Sequence, residues 1–317
     1  MKRMISVCFM VCSLLLFSGG NAFSAERWAL GSSGAGSGPY VWGAWISKIV
    51  NKYQNKVIIS SQATAGYNEN IELVHAGKIP LGLTLEDDIL DAYKGLGKFR
   101  GRQHERLRKL FVVNLAVYHV VTREGAGIKT LSDLKGKKVN ISLPAMSTRK
   151  FTESLLKAAN IGLDEIKKFE MATGSTFPSL QDRVIDATVN GYSIGHGELM
   201  ELANNIKIRL IEVPDDVFER VNKILRNTLI RVTIPANSYK GQNEDVITFA
   251  GGNVLFSRDD VPEDQVYQFT KAFWNNLAEV QKDPNFKIMK KEYAVVMTEV
   301  PLHPGAQRYF KEVGILK

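Results

Sequence analysis

The sequence predicts an α/β protein of two similar lobes, joined by crossing strands and enclosing a ligand cleft. Three observations predict it. From about residue 26 onward, short β-type runs alternate with helical runs, the rhythm of a parallel α/β domain. A long apolar run at 110–122 interrupts that rhythm, and a second block of the same kind follows it. The chain then returns through another long strand at 246–257, with no low-complexity linker between the blocks.

The segment before this pattern reads differently. Lys2 and Arg3 precede an almost wholly apolar run from Met4 to Phe17, and small residues gather from Ser18 to Ala25. That is the order of a secretory signal, and residues 1–25 are assigned to it. The apolar run falls short of the roughly 20 residues a spanning helix needs. The protein is therefore expected in the periplasm. Both cysteines, Cys8 and Cys12, fall inside the signal, so the exported chain is expected to hold no thiol for a disulfide, a metal site or a nucleophile. Losing Lys2 and Arg3 lowers the formal charge from +8 to +6. The basic cluster from Lys98 to Lys109 reads as a solvated surface segment, and export argues against a nucleic-acid partner.

The first lobe is assigned to residues 26–117. Arg27 to Leu30 forms a strand ending in the Gly/Ser loop Gly31 to Gly38, and a helix follows over Tyr40 to Asn51 with Trp42, Trp45, Ile46, Ile49 and Val50 at helical spacing. This loop is placed to cradle an anion with backbone N–H groups and a helix N-terminus, or simply to make a tight turn. It matches neither the ATPase phosphate loop nor the dinucleotide fingerprint. Ser32, Ser33 and Tyr40 are its candidate ligand contacts. Val57 to Ser61 is the next strand, and its turn runs from Gln62 to the helix Tyr67 to Ala76. Thr64 suits the helix N-cap, while Gln62 and Tyr67 are better placed to point into a cleft. The third turn, Thr84 to Asp88, offers acids that bind a cation or amino group, or that complement the following helix dipole.

The second lobe is assigned to residues 118–245, after the crossing strand Leu110 to Thr122. Strand Val139 to Ser142 turns at Pro144 into the helix Thr148 to Asn160. Ser147 and Thr148 offer hydroxyls and free N–H groups to a carboxylate. Arg149 suits a bidentate grip on the same group, or faces solvent. A short helix beginning at Phe177 and a strand from Ile185 to Val189 lead to Asn190 and Tyr192 at the same opening. Among the five scattered histidines, which lack metal-ligand spacing, His119 is the one expected to line the cleft. Residues 246–317 return to the first lobe, with one strong helix over Pro262 to Val280. No enzyme signature stands out, and no metal or cofactor is expected.

Several motifs together resemble the TAXI-type solute receptors of tripartite ATP-independent periplasmic (TRAP) transporters. They include the Gly/Ser loop ending at Tyr40, the run Gln62 to Asn70, Ala92-Tyr93-Lys94-Gly95 and Ile128 to Lys137. Ile185-Asp186-Ala187, Thr233-Ile234-Pro235-Ala236 and Pro301 to Ala306 complete the set. The resemblance covers essentially the whole exported chain. It implies a type II periplasmic binding fold, no catalysis, and membrane subunits driven by an ion gradient as partner. It also implies glutamate, 2-oxoglutarate or a related carboxylate as ligand. Met146 stands where that family usually has Ser, Ser147 where it has Gly, and Arg149 where an acid or polar residue is common. The chain is expected to act as a monomer. Two rivals keep the fold: the receptor of an ABC importer or a membrane sensor, and a hydroxymethylbilane-synthase-like transferase, whose chemistry needs a cysteine to hold its cofactor.

Overall fold

A computed structural model describes residues 26–35, 37–144, 146–296 and 299–317; the assigned signal lies outside them. The chain begins with β1 (Glu26–Gly31), α1 (Gly38–Tyr53), β2 (Val57–Gln62), α2 (Tyr67–His75), β3 (Leu81–Leu85) and α3 (Glu86–Lys94). Strand β1 pairs in parallel with both β2 and β3, which brings the carboxyl ends of all three to one edge. Helix α1 starts two residues before the expected Tyr40: Ser37 accepts a hydrogen bond from the Tyr40 N–H, and Pro39 sits in the first turn. Ile46, Ile49 and Val50 form its buried stripe.

The crossing strand is longer than expected. β4 runs from Leu107 to Arg123 and is buried along nearly all of it. Its first half pairs antiparallel with β10 (Val246–Arg258), and its second half pairs with β7 (Ala187–Tyr192). Strand β10 does the same in reverse: Asn253 to Phe256 pairs with β3, and Val246 to Gly251 pairs with β9 (Leu229–Ile234). These two strands carry the sheet from one lobe into the other. Register shifts between Asn253 and Val254, and between Leu255 and Phe256, bend the pair where it changes lobe.

In the second lobe β5 (Lys138–Asn140) lies between β6 (Lys167–Phe169) and β7, both parallel to it, and β8 (Ile208–Leu210) pairs with β4. Helices α4 (Ser147–Ala158), α5 (Thr173–Gln181), α6 (Gly197–Asn205) and α7 (Asp215–Ile224) complete that lobe. β6, β9, α6 and α7 were not anticipated. Two cores result. One fills the first lobe and continues along the strands under α5 and α6, through Phe177, Tyr192 and Leu199. The other packs Tyr118, Phe151, Val189, Phe218 and Phe249 between the opposite sheet face and α4 and α7.

The expected helix over Pro262 to Val280 is two helices, α8 (Glu263–Asn275) and α9 (Leu277–Val280). Asn276 leaves helical geometry at φ −112°, ψ 29°, and its side chain donates to the Ala272 carbonyl, a local bond that competes with the helix ladder. Phe269, Phe273 and Trp274 of α8 meet Phe111 of β4, and α10 (Pro304–Glu312) packs on α8. The basic segment is only partly a solvated surface. Arg102, Arg106 and Arg108 pair with surface acids, whereas Lys109 is fully buried against Glu86. Among the described residues no helix is long and apolar enough to cross a membrane.

Candidate ligand-binding cleft

Each lobe fixes the loops at its strand ends with one fully buried asparagine. In the first lobe Asn70 donates to the carbonyls of Ser32 (2.7 Å) and Leu83 (2.8 Å), tying the end of β1 to β3. Its own carbonyl accepts from the Thr64 hydroxyl at 2.8 Å. Gly31 is required here, since a Cβ would stand 2.6 Å from the Asn70 oxygen. In the second lobe Asn140 accepts from the N–H groups of Ser142 and Met171, both at 3.0 Å, and donates to Thr176 at 3.0 Å. Ser142 adopts φ +68° to make that turn.

These clamps account for several expected site residues. Ser32 is buried, and its hydroxyl donates to the Gln62 carbonyl at 2.8 Å, so it builds the loop. Thr64 does not cap α2: the cap position is Gly66, and the Thr64 hydroxyl braces Asn70 instead. Ser33 and Tyr40 are half-buried and Gln62 is exposed. Tyr67 reaches deepest: its hydroxyl donates to Asn253 of β10 at 2.8 Å.

His119, Asn190 and Tyr192 lie together, but on the sheet face turned toward α5 and α6. His119 and Asn190 are register partners. The imidazole lies 2.8 Å from the Val117 carbonyl and 2.9 Å from the Tyr239 hydroxyl. Burial pushes its pKa down to about 4, so the ring is neutral. The Asn190 amide donates to the Thr188 hydroxyl at 3.0 Å, and Tyr192 packs on Phe177 and His196. His119 is thus a buried structural group rather than a cleft residue.

The lobes meet around a cavity of about 630 Å³. Asp88, Asp91 and Lys98 line it from the first lobe, and Met146, Arg149, Lys150 and Arg226 from the second. Arg149 is there, but its charge is spoken for: the guanidinium donates to Glu153 and to Glu170, each at 2.7 Å. Ser147 opens α4. Thr148 follows, half-buried, with no partner for its hydroxyl among the described residues.

The cross-cleft contacts instead join the expected acidic turn to Lys150 and Arg226, which the sequence did not single out. Lys150 reaches from α4 to Asp87 (2.5 Å) and Asp91 (3.5 Å) on α3. Arg226, just after α7, also pairs with Asp91. Burial alone would lower the pKa of Lys150, but the Asp87 carboxylate outweighs it and holds the amine charged. Between the crossing strands, Asn114 of β4 faces Asn253 of β10 in register, buried and with neither polar side-chain atom partnered among the described residues. Asp88 is 8% exposed and, among the described residues, makes no hydrogen bond or ion pair. Burial, reinforced by Asp87, pushes its pKa up to about 7. The only signal for these acids was the run Glu86-Asp87-Asp88, which fits a helix first turn equally well. Among the described residues no group of three or more His, Cys, Asp or Glu could hold a metal.

The profile of the NMT1-like family matches residues 30–314. Solved structures with the same architecture are distant in sequence. The periplasmic aliphatic sulphonate binding protein SsuA from Escherichia coli is 14% identical, covering 92% of this chain and 94% of that one, with a TM-score of 0.50. A probable amino-acid ABC transporter extracellular-binding protein, ytmK from Bacillus subtilis, is 11% identical over 85% of this chain and 100% of that one, TM-score 0.52. A putative sulfonate ABC transporter's periplasmic sulfonate-binding protein from Methylobacillus flagellatus KT is 14% identical over 91% and 85%, TM-score 0.52. The fold is the type II periplasmic binding fold, as expected.

Proposed function

This chain belongs to the NMT1-like family, and on that footing we propose that it is an exported solute-binding protein that closes two lobes around a small carboxylate-type solute and delivers it to membrane transport subunits. The observation that carries this reading is the cavity of about 630 Å³ between the lobes, within the usual range of small-molecule sites and walled from both sides. Lobe I comprises residues 26–117 and 246–317 in this reading, and lobe II residues 118–245. The bend where β4 and β10 change lobe serves as the hinge. The solute carboxylate is received at the N-terminus of α4, where Ser147 and Thr148 present backbone N–H groups and the helix dipole favours negative charge. Tyr67 helps to close the site from the first lobe. The solute shifts the open–closed equilibrium only by its preference for the closed form.

Glutamate, 2-oxoglutarate and related acids head the expected ligands, with TRAP membrane subunits as partner. A second reading, delivery to an ABC importer, is favoured by what two of the structural neighbours are called. Uptake assays separate the partners: TRAP delivery follows an ion gradient, whereas ABC delivery requires ATP. The function is tested by thermal unfolding against dicarboxylates, amino acids, keto acids and sulfonates. A solute at about 100 times its Kd adds about 2.7 kcal/mol to stability. Stabilisation by one carboxylate class supports the proposal. Stabilisation by none, in protein shown by mass spectrometry to carry no co-purified solute, overturns it.

A further inference from the structure

Of the carboxylates that line the cleft, Asp88 alone has no hydrogen-bond or ion-pair partner for its side chain among the described residues, and the cations Lys98 and Lys157 line the same space. Helix α3 presents Asp87, Asp88 and Asp91 to the second lobe, all buried. The second lobe answers with Lys150, which takes Asp87 and Asp91, and with Arg226, which takes Asp91 again. Asp88 receives neither. Lys150 and Lys98 influence it at longer range, but no cation comes within ion-pair distance among the described residues. The nearby Tyr67 hydroxyl is no substitute, because it is already donated to Asn253.

A carboxylate that is 8% exposed and unpartnered is expensive to keep buried. It nonetheless lines the cavity, so a bound molecule can reach it. The group that best repays its desolvation is a cationic nitrogen, through a charge-assisted N–H···O contact. An oxo or hydroxyl oxygen at the same place would bring either a repulsive lone pair or a weaker donor.

We propose that Asp88 determines the specificity of the cleft, selecting solutes that carry a cationic nitrogen over their oxo or deaminated counterparts. This rests on the solute-binding reading, with the carboxylate end of the solute held at the start of α4. The two ends then divide the work: α4 accepts any small carboxylate, and Asp88 discriminates among them. Burial pushes the Asp88 pKa up to about 7, and an ammonium beside it draws the carboxylate back to its ionised form.

The test is titration calorimetry on the native protein with matched pairs: L-glutamate and 2-oxoglutarate, L-alanine and pyruvate, L-leucine and 4-methyl-2-oxopentanoate. Within any pair that binds, the amino compound is expected to bind about 10- to 100-fold tighter than the oxo acid. Asp88→Asn should bring that ratio within about threefold, because the charge-assisted contact to the amino compound is lost and the repulsion of the oxo oxygen is relieved. Glu165→Gln, which removes a surface acid paired with Lys135 away from the cleft, should preserve the ratio. A ratio near one in the native protein, or a ratio untouched by Asp88→Asn, overturns the proposal. If no carboxylate binds, the carboxylate reading falls by itself, and putrescine then decides this inference: binding lost in Asp88→Asn sustains it, and no binding ends it. Circular dichroism of each variant verifies that it is folded.

Discussion

Replacing Lys109 with methionine isolates the buried ion pair beneath the cleft. Its amine lies 2.6 Å from Glu86, with the two side chains 0% and 2% exposed, and donates a second bond to the Val296 carbonyl at 2.7 Å. The other Glu86 oxygen has no partner among the described residues even with Lys109 in place. Methionine preserves most of the volume but leaves the carboxylate buried alone, which costs about 3–5 kcal/mol. That is a loss of roughly 10²- to nearly 10⁴-fold in the folded-to-unfolded ratio.

The pH dependence of that loss has a definite sign. Burial pushes Glu86 up to about 7 despite Lys109, against an ordinary value of 4.5. A carboxyl whose pKa is raised in the folded state favours folding below its unfolded value, and that advantage disappears as pH rises through the folded value. Without Lys109 the folded value rises further, so the extra loss is small up to about pH 7, where both proteins keep Glu86 protonated, and grows as pH rises beyond 7 toward the variant's higher value. Urea unfolding followed by tryptophan fluorescence at pH 5 and pH 9.5 measures both. Lys109→Met/Glu86→Leu should recover most of the loss, because no buried charge remains. A cost under about 1 kcal/mol, no pH dependence, or a double variant no better than the single would refute the reasoning.

Three further outcomes follow from the same geometry. Lys150→Met removes the contacts to Asp87 and Asp91; with Lys150 37% exposed, the closed form should lose about 1–2 kcal/mol. Its radius of gyration by small-angle scattering should increase, and an unchanged value would count against a cross-cleft latch. His119→Gln should flatten the acid side of the stability curve. The ring's pKa is depressed from 6.5 to about 4, so its contribution is present above pH 6.5 and lost as pH falls toward 4, about 3 kcal/mol in all; a curve parallel to the native one would deny that burial. Arg149→Ala should alter solute affinity by less than about threefold, since Glu153 and Glu170 already neutralise the guanidinium. A tenfold loss would return Arg149 to the role of anion grip.

The elements around the cleft were largely legible because their signals are local. Gly31 to Gly38 announces the end of β1, Pro39 the start of α1, and the apolar runs of β4 and β10 their passage through the core. A short element such as β6, three residues long, carries too little pattern to be read. The α8–α9 break at Asn276 escaped because the apolar spacing continues across it.

Side-chain roles divided along the same line. Tyr67 follows a strand-end turn, and local order alone brings it toward the cleft. The face on which His119 lies depends on the register of β4 against β7 and on which helices cover each face. Arg149 is neutralised in part by Glu170, which is 21 residues away and reaches it only through the pairing of β5 with β6.

By itself, the sequence determined the alternation of strands and helices, the two crossing strands, and the placing of polar turns at strand ends. Periodicity and turn chemistry act over a few residues and survive without knowledge of the whole. Only the tertiary structure decided which charges meet. Glu86, Asp87 and Asp88 are consecutive acids at the start of one helix, yet one pairs with Lys109 of β4, one with Lys150 across the cleft, and one with no partner among the described residues. Successive helical positions point about 100° apart, so the surroundings of each acid were set by the packing of distant elements around α3.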